Sequence, residues 1–164
     1  MSAKFGPAGN CESFSKVHKS SLAAPRWIAD FGLDCYEYQC GKGVHVGKEI
    51  AVKIGENAQA AGISLSLHAP YFINLANPDQ DALQKTIGYI TAGCQAADWM
   101  GARRVVIHSG ALMKRERAQA LETAKKSLTK VISACDSQGF SHITLCPETM
   151  GKINQLGDLD EVLE

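Results

Sequence analysis

Five short runs of strand-forming character recur along the chain, each followed by a loop and then an amphipathic stretch. The runs are KFG (4–6), CYEYQ (35–39), SLSLH (64–68), RVVIH (104–108) and ITLCPE (143–148). Period-two alternation, or continuous apolarity over so few residues, marks strands with one or both faces covered. Between them lie APRWIADFG, GKEIAVKIGENAQAAG, PDQDALQKTIGYITAGCQAADWMG and KRERAQALETAKKSLTKVISACDSQG, with apolar residues at helical spacing. Each closes at or near a glycine (Gly32, Gly62, Gly101, Gly139), as a helix turning back into a strand does. Pro78-Asp79 opens the third of these helices, with carboxylates in its first turn.

Such alternation predicts an α/β protein with parallel strands joined by helical crossovers. The candidates are a doubly wound sheet and a (β/α) barrel. No glycine-rich phosphate or dinucleotide fingerprint follows any run, which removes the main support for the first. Instead, three consecutive runs end in His68, His108 and Glu148. In a barrel those C-terminal ends meet on one face, where active sites are built. The expected fold is therefore a (β/α) TIM-barrel type. It is incomplete, since five runs are present where about eight close a barrel. The last segment, GDLDEVLE, starts a helix with Asp158 as N-cap and carries no stop signal before Glu164. The expectation is that residues 1–164 form the N-terminal part of a single barrel domain, truncated at its C-terminus. Its open sheet edges would then invite self-association.

With 45% hydrophobic and 21% charged residues, a packed core is well supplied. The 17 basic and 17 acidic side chains cancel, so charge alone gives no pointer to nucleic acid. Bound metal would add positive charge that side-chain counting misses. Six cysteines occur without any C-x-x-C pair, which predicts reduced thiols rather than a disulfide framework. Cys94 and Cys135 fall within helical patterns and are read as small apolar fillers. No apolar run is long enough to cross a bilayer and no signal-peptide core opens the chain. A soluble, cytoplasmic protein without a membrane partner is expected.

Taken singly, a histidine at a strand end is more often a satisfied structural residue. Three metal-capable residues at three consecutive equivalent strand ends shift the balance towards a site. Neighbouring strands lie roughly 4.8 Å apart, so His68, His108 and Glu148 can share one small space. Two imidazoles and a carboxylate suit zinc, iron or manganese, and the carboxylate is able to bridge two ions. His18 and His45 stand in polar loop stretches and His142 at the start of a strand; these three are read as structural or solvated.

The segments LSLHAPYFINLA, RVVIHSGA and LCPETMGKINQLG resemble the endonuclease IV family, zinc-dependent apurinic/apyrimidinic endonucleases of xylose-isomerase-like barrel fold. The resemblance extends to GPAGN near the start and GLDCYEYQCGKG at the second run. It implies a DNA repair hydrolase that cleaves the phosphodiester 5′ to an abasic site in double-stranded DNA, leaving a 3′-hydroxyl. It further implies that His68 and His108 bind one zinc and that Glu148, the catalytic carboxylate, bridges it to a second. Up to three zinc ions are the family's complement, with fewer expected here because the remaining ligands come from later strands. Tyr71 and Phe72 would press into the DNA at the abasic nucleotide, with Asn74, Lys42 and Lys152 as candidate phosphate contacts. Two features depart from the family pattern. Pro7 stands where many members carry a histidine, and no DNA-inserting arginine is evident, leaving Lys42 as a point-charge substitute.

Two alternatives stand beside this reading. A sugar isomerase or epimerase of the same barrel superfamily also places a glutamate at a strand end. Alternatively, the 164-residue chain is a catalytically inactive fragment.

Overall fold

A computed structural model describes residues 3–164. Among these, four parallel strands form one sheet in chain order: β1 (Cys35–Gln39), β2 (Ser64–His68), β3 (Arg104–Ile107) and β4 (Thr144–Pro147). The helices are α1 (Glu12–Val17), α2 (Ala24–Asp30), α3 (Lys48–Ala61), α4 (Gln80–Met100), α5 (Arg117–Ser137) and α6 (Leu159–Leu163). No helix among the described residues is long and apolar enough to cross a membrane.

The helix ends follow the chemistry expected of them. Asp79 caps α4 by accepting the Ala82 N–H at 2.7 Å. Gly62 and Gly101 close α3 and α4 in left-handed conformation, at φ 71° and 70°. Asp158 opens α6 in a reciprocal capping box with Glu161. Helix α1 was not foreseen: it is short, buries only Phe14 and has no side-chain cap, so it left no periodic trace in the sequence.

The first expected strand is corrected. Residues 4–6 do not form a strand; the segment 5–9 runs beside β1 and meets it in an isolated parallel bridge, Ala8 to Glu37. The Phe5 carbonyl accepts from the Asp34 N–H at 2.8 Å, the Pro7 carbonyl from Glu37 at 3.1 Å, and the Gly9 N–H donates to Glu37 at 2.9 Å. Pro7 has no N–H to add to a ladder, which keeps the pairing irregular. The sheet therefore has four regular strands, and the exposed edge of β1 is covered by this segment rather than bare.

Alternation along the strands sorts the side chains onto two faces. Tyr36, Leu65, Leu67, Val105, Ile107 and Leu145 face the helices and join the two apolar clusters of the core. Leu67 and Val105 are fully buried, each contributing roughly 1.5–3 kcal/mol relative to exposure. The opposite, concave face carries Glu37 and Gln39 from β1, Ser66 and His68 from β2, Val106 from β3 and Cys146 from β4. That face is mostly polar, so it is built for chemistry rather than for packing.

Candidate metal centre

His68 is the last residue of β2, while His108 and Glu148 directly follow β3 and β4. Register explains their meeting. Gln39 pairs with His68, His68 with Val106 and Val106 with Cys146, so His108 and Glu148 lie two residues further along the same face. Their ligand atoms all fall within 4.8 Å of one another. Nε2 of His68 stands 3.1 Å from Oε2 of Glu148, and Nε2 of His108 stands 3.0 Å from that same oxygen.

The outer side of His68 fixes what its inner nitrogen presents. Its Nδ1 lies 2.7 Å from the Ala69 carbonyl oxygen, an acceptor, so Nδ1 carries a proton. In the neutral ring Nε2 then bears a lone pair aimed at a carboxylate oxygen. Two acceptors at 3.1 Å need a proton or a cation between or beside them. Ligands at about 2.0–2.1 Å from a tetrahedral zinc stand roughly 3–3.5 Å apart, which matches these separations. A backbone carbonyl orienting the far nitrogen is also the usual support for a metal-bound imidazole. The donor set thus fits a divalent ion such as zinc. Glu148 is the open member, its side chain 41% exposed, so a carboxylate oxygen is left accessible for a second ion.

Glu37 was not picked out from the sequence. It lies on the concave face two residues before Gln39, the register partner of His68. Gln39 donates to its Oε1 at 2.8 Å and Ser66 donates to its Oε2 at 3.5 Å. Burial raises the carboxyl above its usual range; His68 opposes this and Glu148 adds to it. Counting period two back from Gln39 would have exposed this residue.

Three loops at the strand C-termini are knitted together around the triad. The Asn74 side-chain oxygen accepts from Ala76 at 3.1 Å and from Ala111 at 3.0 Å, joining the loop after β2 to the loop after β3. Gly110 makes room for this: a Cβ there would lie 2.2 Å from that oxygen. The loop after β3 is joined in turn to that after β4, through Leu112 to Asn154 at 3.0 Å and Leu156 to Gly110 at 2.9 Å. Asn74 is therefore occupied in holding loops. Tyr71 and Phe72 stand out from the rim, 53% and 43% exposed. Their rings meet edge to face at 5.8 Å, and Phe72 leans on Tyr89 of α4 at 4.9 Å. Lys42 is exposed on the loop after β1 and Lys152 on the loop after β4, and the Tyr71 N–H reaches Gly41 beside Lys42 at 3.3 Å. Away from this rim, His142 in the turn before β4 pairs with Asp98 at 2.8 Å, and the His18 ring packs on Phe14 at 4.9 Å.

A parallel α/β sheet with metal-capable side chains gathered at its strand C-termini is the arrangement of a (β/α)-barrel protein. The chain belongs to the xylose isomerase-like TIM barrel family, whose model matches residues 25–164. It is 28% identical over 137 residues to uncharacterized protein MJ0133 of Methanocaldococcus jannaschii, covering 84% of this chain and 49% of that protein. It is 35% identical over 100 residues to probable endonuclease 4 of Mycoplasma genitalium, covering 60% of this chain and 33% of that protein. The resemblance to endonuclease IV drawn from the three motifs is matched by the second of these relatives. Among solved structures, a D-tagatose 3-epimerase-like protein superposes with TM-score 0.69 at 20% identity, over 88% of this chain and 58% of that one. Endonuclease IV from Thermus thermophilus superposes with TM-score 0.60 at 16% identity, over 92% and 53% respectively. These likenesses establish the fold. The chain spans about half, or a third, of the length of the curated relatives it matches.

Proposed function

We propose that this chain supplies one metal site and part of the DNA-facing rim of a zinc-dependent abasic-site endonuclease. The reaction is hydrolysis of the phosphodiester 5′ to an abasic nucleotide in double-stranded DNA, leaving a 3′-hydroxyl. In this reading residues 1–164 are the N-terminal part of one barrel domain. The observation that carries it is the shared oxygen: two histidine Nε2 atoms converge on Oε2 of Glu148 at 3.1 and 3.0 Å. The pair of imidazoles, together with the aromatic pair Tyr71 and Phe72 on the adjoining rim, weighs against a sugar isomerase or epimerase.

His68 and His108 would hold one ion and Glu148 would link it to a neighbour, up to the three of the endonuclease IV pattern. Bound zinc supplies a water acidified towards a pKa of about 7 and charge to stabilise the phosphoryl oxygens. The protein's own part is positioning. Ala69 fixes the tautomer of His68, and the concave face keeps polar groups around the reacting centre. Tyr71 and Phe72 act as an aromatic wedge against the base stack, where flipping is cheapest at a nucleotide that has lost its pairing. Lys42 and Lys152 contribute phosphate contacts, joined by the Asn74 side-chain amide nitrogen, whose companion oxygen is taken up in holding the loops. The six free cysteines support a reducing, cytoplasmic setting.

One observation favours a second reading. The Glu37 carboxylate, hydrogen-bonded and half-buried beside the triad, would accept from sugar hydroxyls and repel a phosphodiester. That arrangement suits a sugar epimerase of the same family. An incision assay on an abasic-site duplex, with zinc and with a chelator, separates the two. Chelator-sensitive incision supports the nuclease. Zinc binding without incision favours the sugar epimerase or a non-catalytic chain, and size-exclusion chromatography then tests self-association through β4, which has no neighbour on its far side among the described residues.

A further inference from the structure

Two consecutive non-glycine residues, Met113 and Lys114, hold positive φ values of 52° and 61°. They are the only non-glycine residues in that region among those described. A side chain there is strained by its own carbonyl, and single Asn, Asp or Gly residues are the usual occupants. Two adjacent L-residues of this kind persist only where the surroundings over-determine them. The surroundings here do so. Ala111 forms an antiparallel bridge with Gln155, Leu112 donates to Asn154 at 3.0 Å, and Arg115 donates back to Leu112 at 3.0 Å.

The strained pair is not stabilised by burial in return. Met113 is 51% exposed and Lys114 is exposed too. A flexible apolar side chain and an ammonium group are thus displayed side by side at the tip of the loop that follows β3 and His108. The neighbouring loop presents the same pairing in Lys152 and Ile153, the latter 84% exposed. Arg117 ties the two together by donating to the Ile153 carbonyl at 3.2 Å. The rim therefore continues beyond Tyr71 and Phe72 as two apolar-plus-lysine pairs on loops that are hydrogen-bonded to each other.

We infer that Met113 and Lys114, with Lys152 and Ile153, form a second DNA contact on the rim, in which the lysines meet backbone phosphates and the apolar side chains pack on the adjoining sugars or an opened step. This rests on the nuclease reading, since it takes double-stranded DNA as the partner. Charge supports that partner: Lys42, Lys114 and Lys152 place three exposed ammonium groups on loops at one end of the sheet, although the chain as a whole carries no net charge. Strain at an exposed, cationic tip is the signature of a contact retained for binding rather than for folding.

The test is a double substitution, Met113→Gly with Lys114→Gly, in this chain. Glycine adopts positive φ freely, so the melting temperature should rise by roughly 2–4 °C. Affinity for a fluorescently labelled abasic-site duplex, read by anisotropy in chelator, should fall about fivefold to tenfold. The slope of log affinity against log salt should flatten by about one, the loss of one phosphate contact. A higher melting temperature with unchanged affinity and salt slope would overturn the inference. So would a lower melting temperature, because the pair would then be held for packing. If the parent chain neither binds nor incises the duplex, the nuclease reading falls and takes this contact with it. If the parent binds or incises and the variant binds equally well, only the contact is lost.

Discussion

The rings of His68 and His108 meet edge to face, their centroids 5.2 Å apart and their planes at 87°. In this perpendicular arrangement both Nε2 atoms reach a single carboxylate oxygen. The residues come from adjacent strands, His108 lying two residues beyond Val106, the register partner of His68, so the rings lean towards each other across a diagonal. Side chains that would clash or repel elsewhere are thus held at ligand distance by the sheet itself.

Glu148→Gln isolates the charge from the shape. The amide fills the same space and can still approach Nε2 of either histidine, but it offers no anion to a cation. Zinc affinity should fall by more than the roughly 10–100-fold that loss of an outer-shell partner causes. In chelator the melting temperature should barely change, because the Glu148 side chain is 41% exposed and pays little for solvation. Competition against a chromophoric chelator, run beside thermal melts, checks both. Parent-like zinc affinity in the variant removes Glu148 from the site.

Tyr71→Ala addresses the wedge. Base–aromatic stacking is worth about 1–3 kcal/mol, so preference for an abasic over an intact duplex should drop roughly fivefold to a hundredfold. Zinc content should stay the same, since Tyr71 packs on Phe72 and not on the triad. Parallel binding titrations with the two duplexes, and metal analysis of the same preparations, measure the pair of quantities. Matching losses of zinc and of discrimination would mean that the ring supports the rim structurally.

Much of this arrangement was legible in the residues, and the reasons differ from element to element. CYEYQ and SLSLH became β1 and β2 over the expected residues because alternation bounded by Gly32 and Gly41, and by Gly62 and Pro70, leaves little freedom. His68, His108 and Glu148 were legible because equivalent strand ends must converge when the strands are parallel. KFG misled because apolar pattern does not count donors, and Pro7 cannot supply one. Glu37 was overlooked because a lone acid in a short strand reads as a solvent-facing residue; only the register with His68 shows it facing the site. The strain at Met113 and Lys114 left no trace at all, because neither residue type favours positive φ.

Thiol chemistry gives a third test. Cys94 and Cys135 pack across α4 and α5 with sulfurs 3.8 Å apart, both buried. Burial pushes the Cys40 thiol up to about 12. Burial also raises Cys35 and Cys146, whereas exposed Cys11 is lowered by its bond to Ser13 and by the Phe14 backbone. Thiolate is the reactive form, so one fast equivalent, Cys11, should precede all others with a disulfide reagent under native conditions. Full reaction should appear only in denaturant. Removal of the fast phase by Cys11→Ser confirms the assignment, and fast labelling of Cys94 or Cys135 in the native protein would contradict the packing of α4 on α5.

Glu37→Gln should show a gain in stability that depends on pH. The folded carboxyl lies above the usual 4.5 because burial disfavours its charge, so the unfolded chain ionises first as pH rises. The stability that Glu37 contributes is present below that usual value and is lost as pH climbs through the raised folded one. Glutamine does not titrate, and its amide oxygen can still accept from Gln39. The variant should therefore melt close to the parent near pH 4 and increasingly above it towards neutrality, then level off. Chelator is needed throughout, since a cation on the triad would favour ionised Glu37 and erase the difference. Thermal melts across roughly pH 4–8 read this directly. A constant offset between variant and parent at every pH would show that Glu37 titrates as a solvated carboxylate and does not share the enclosed face with His68.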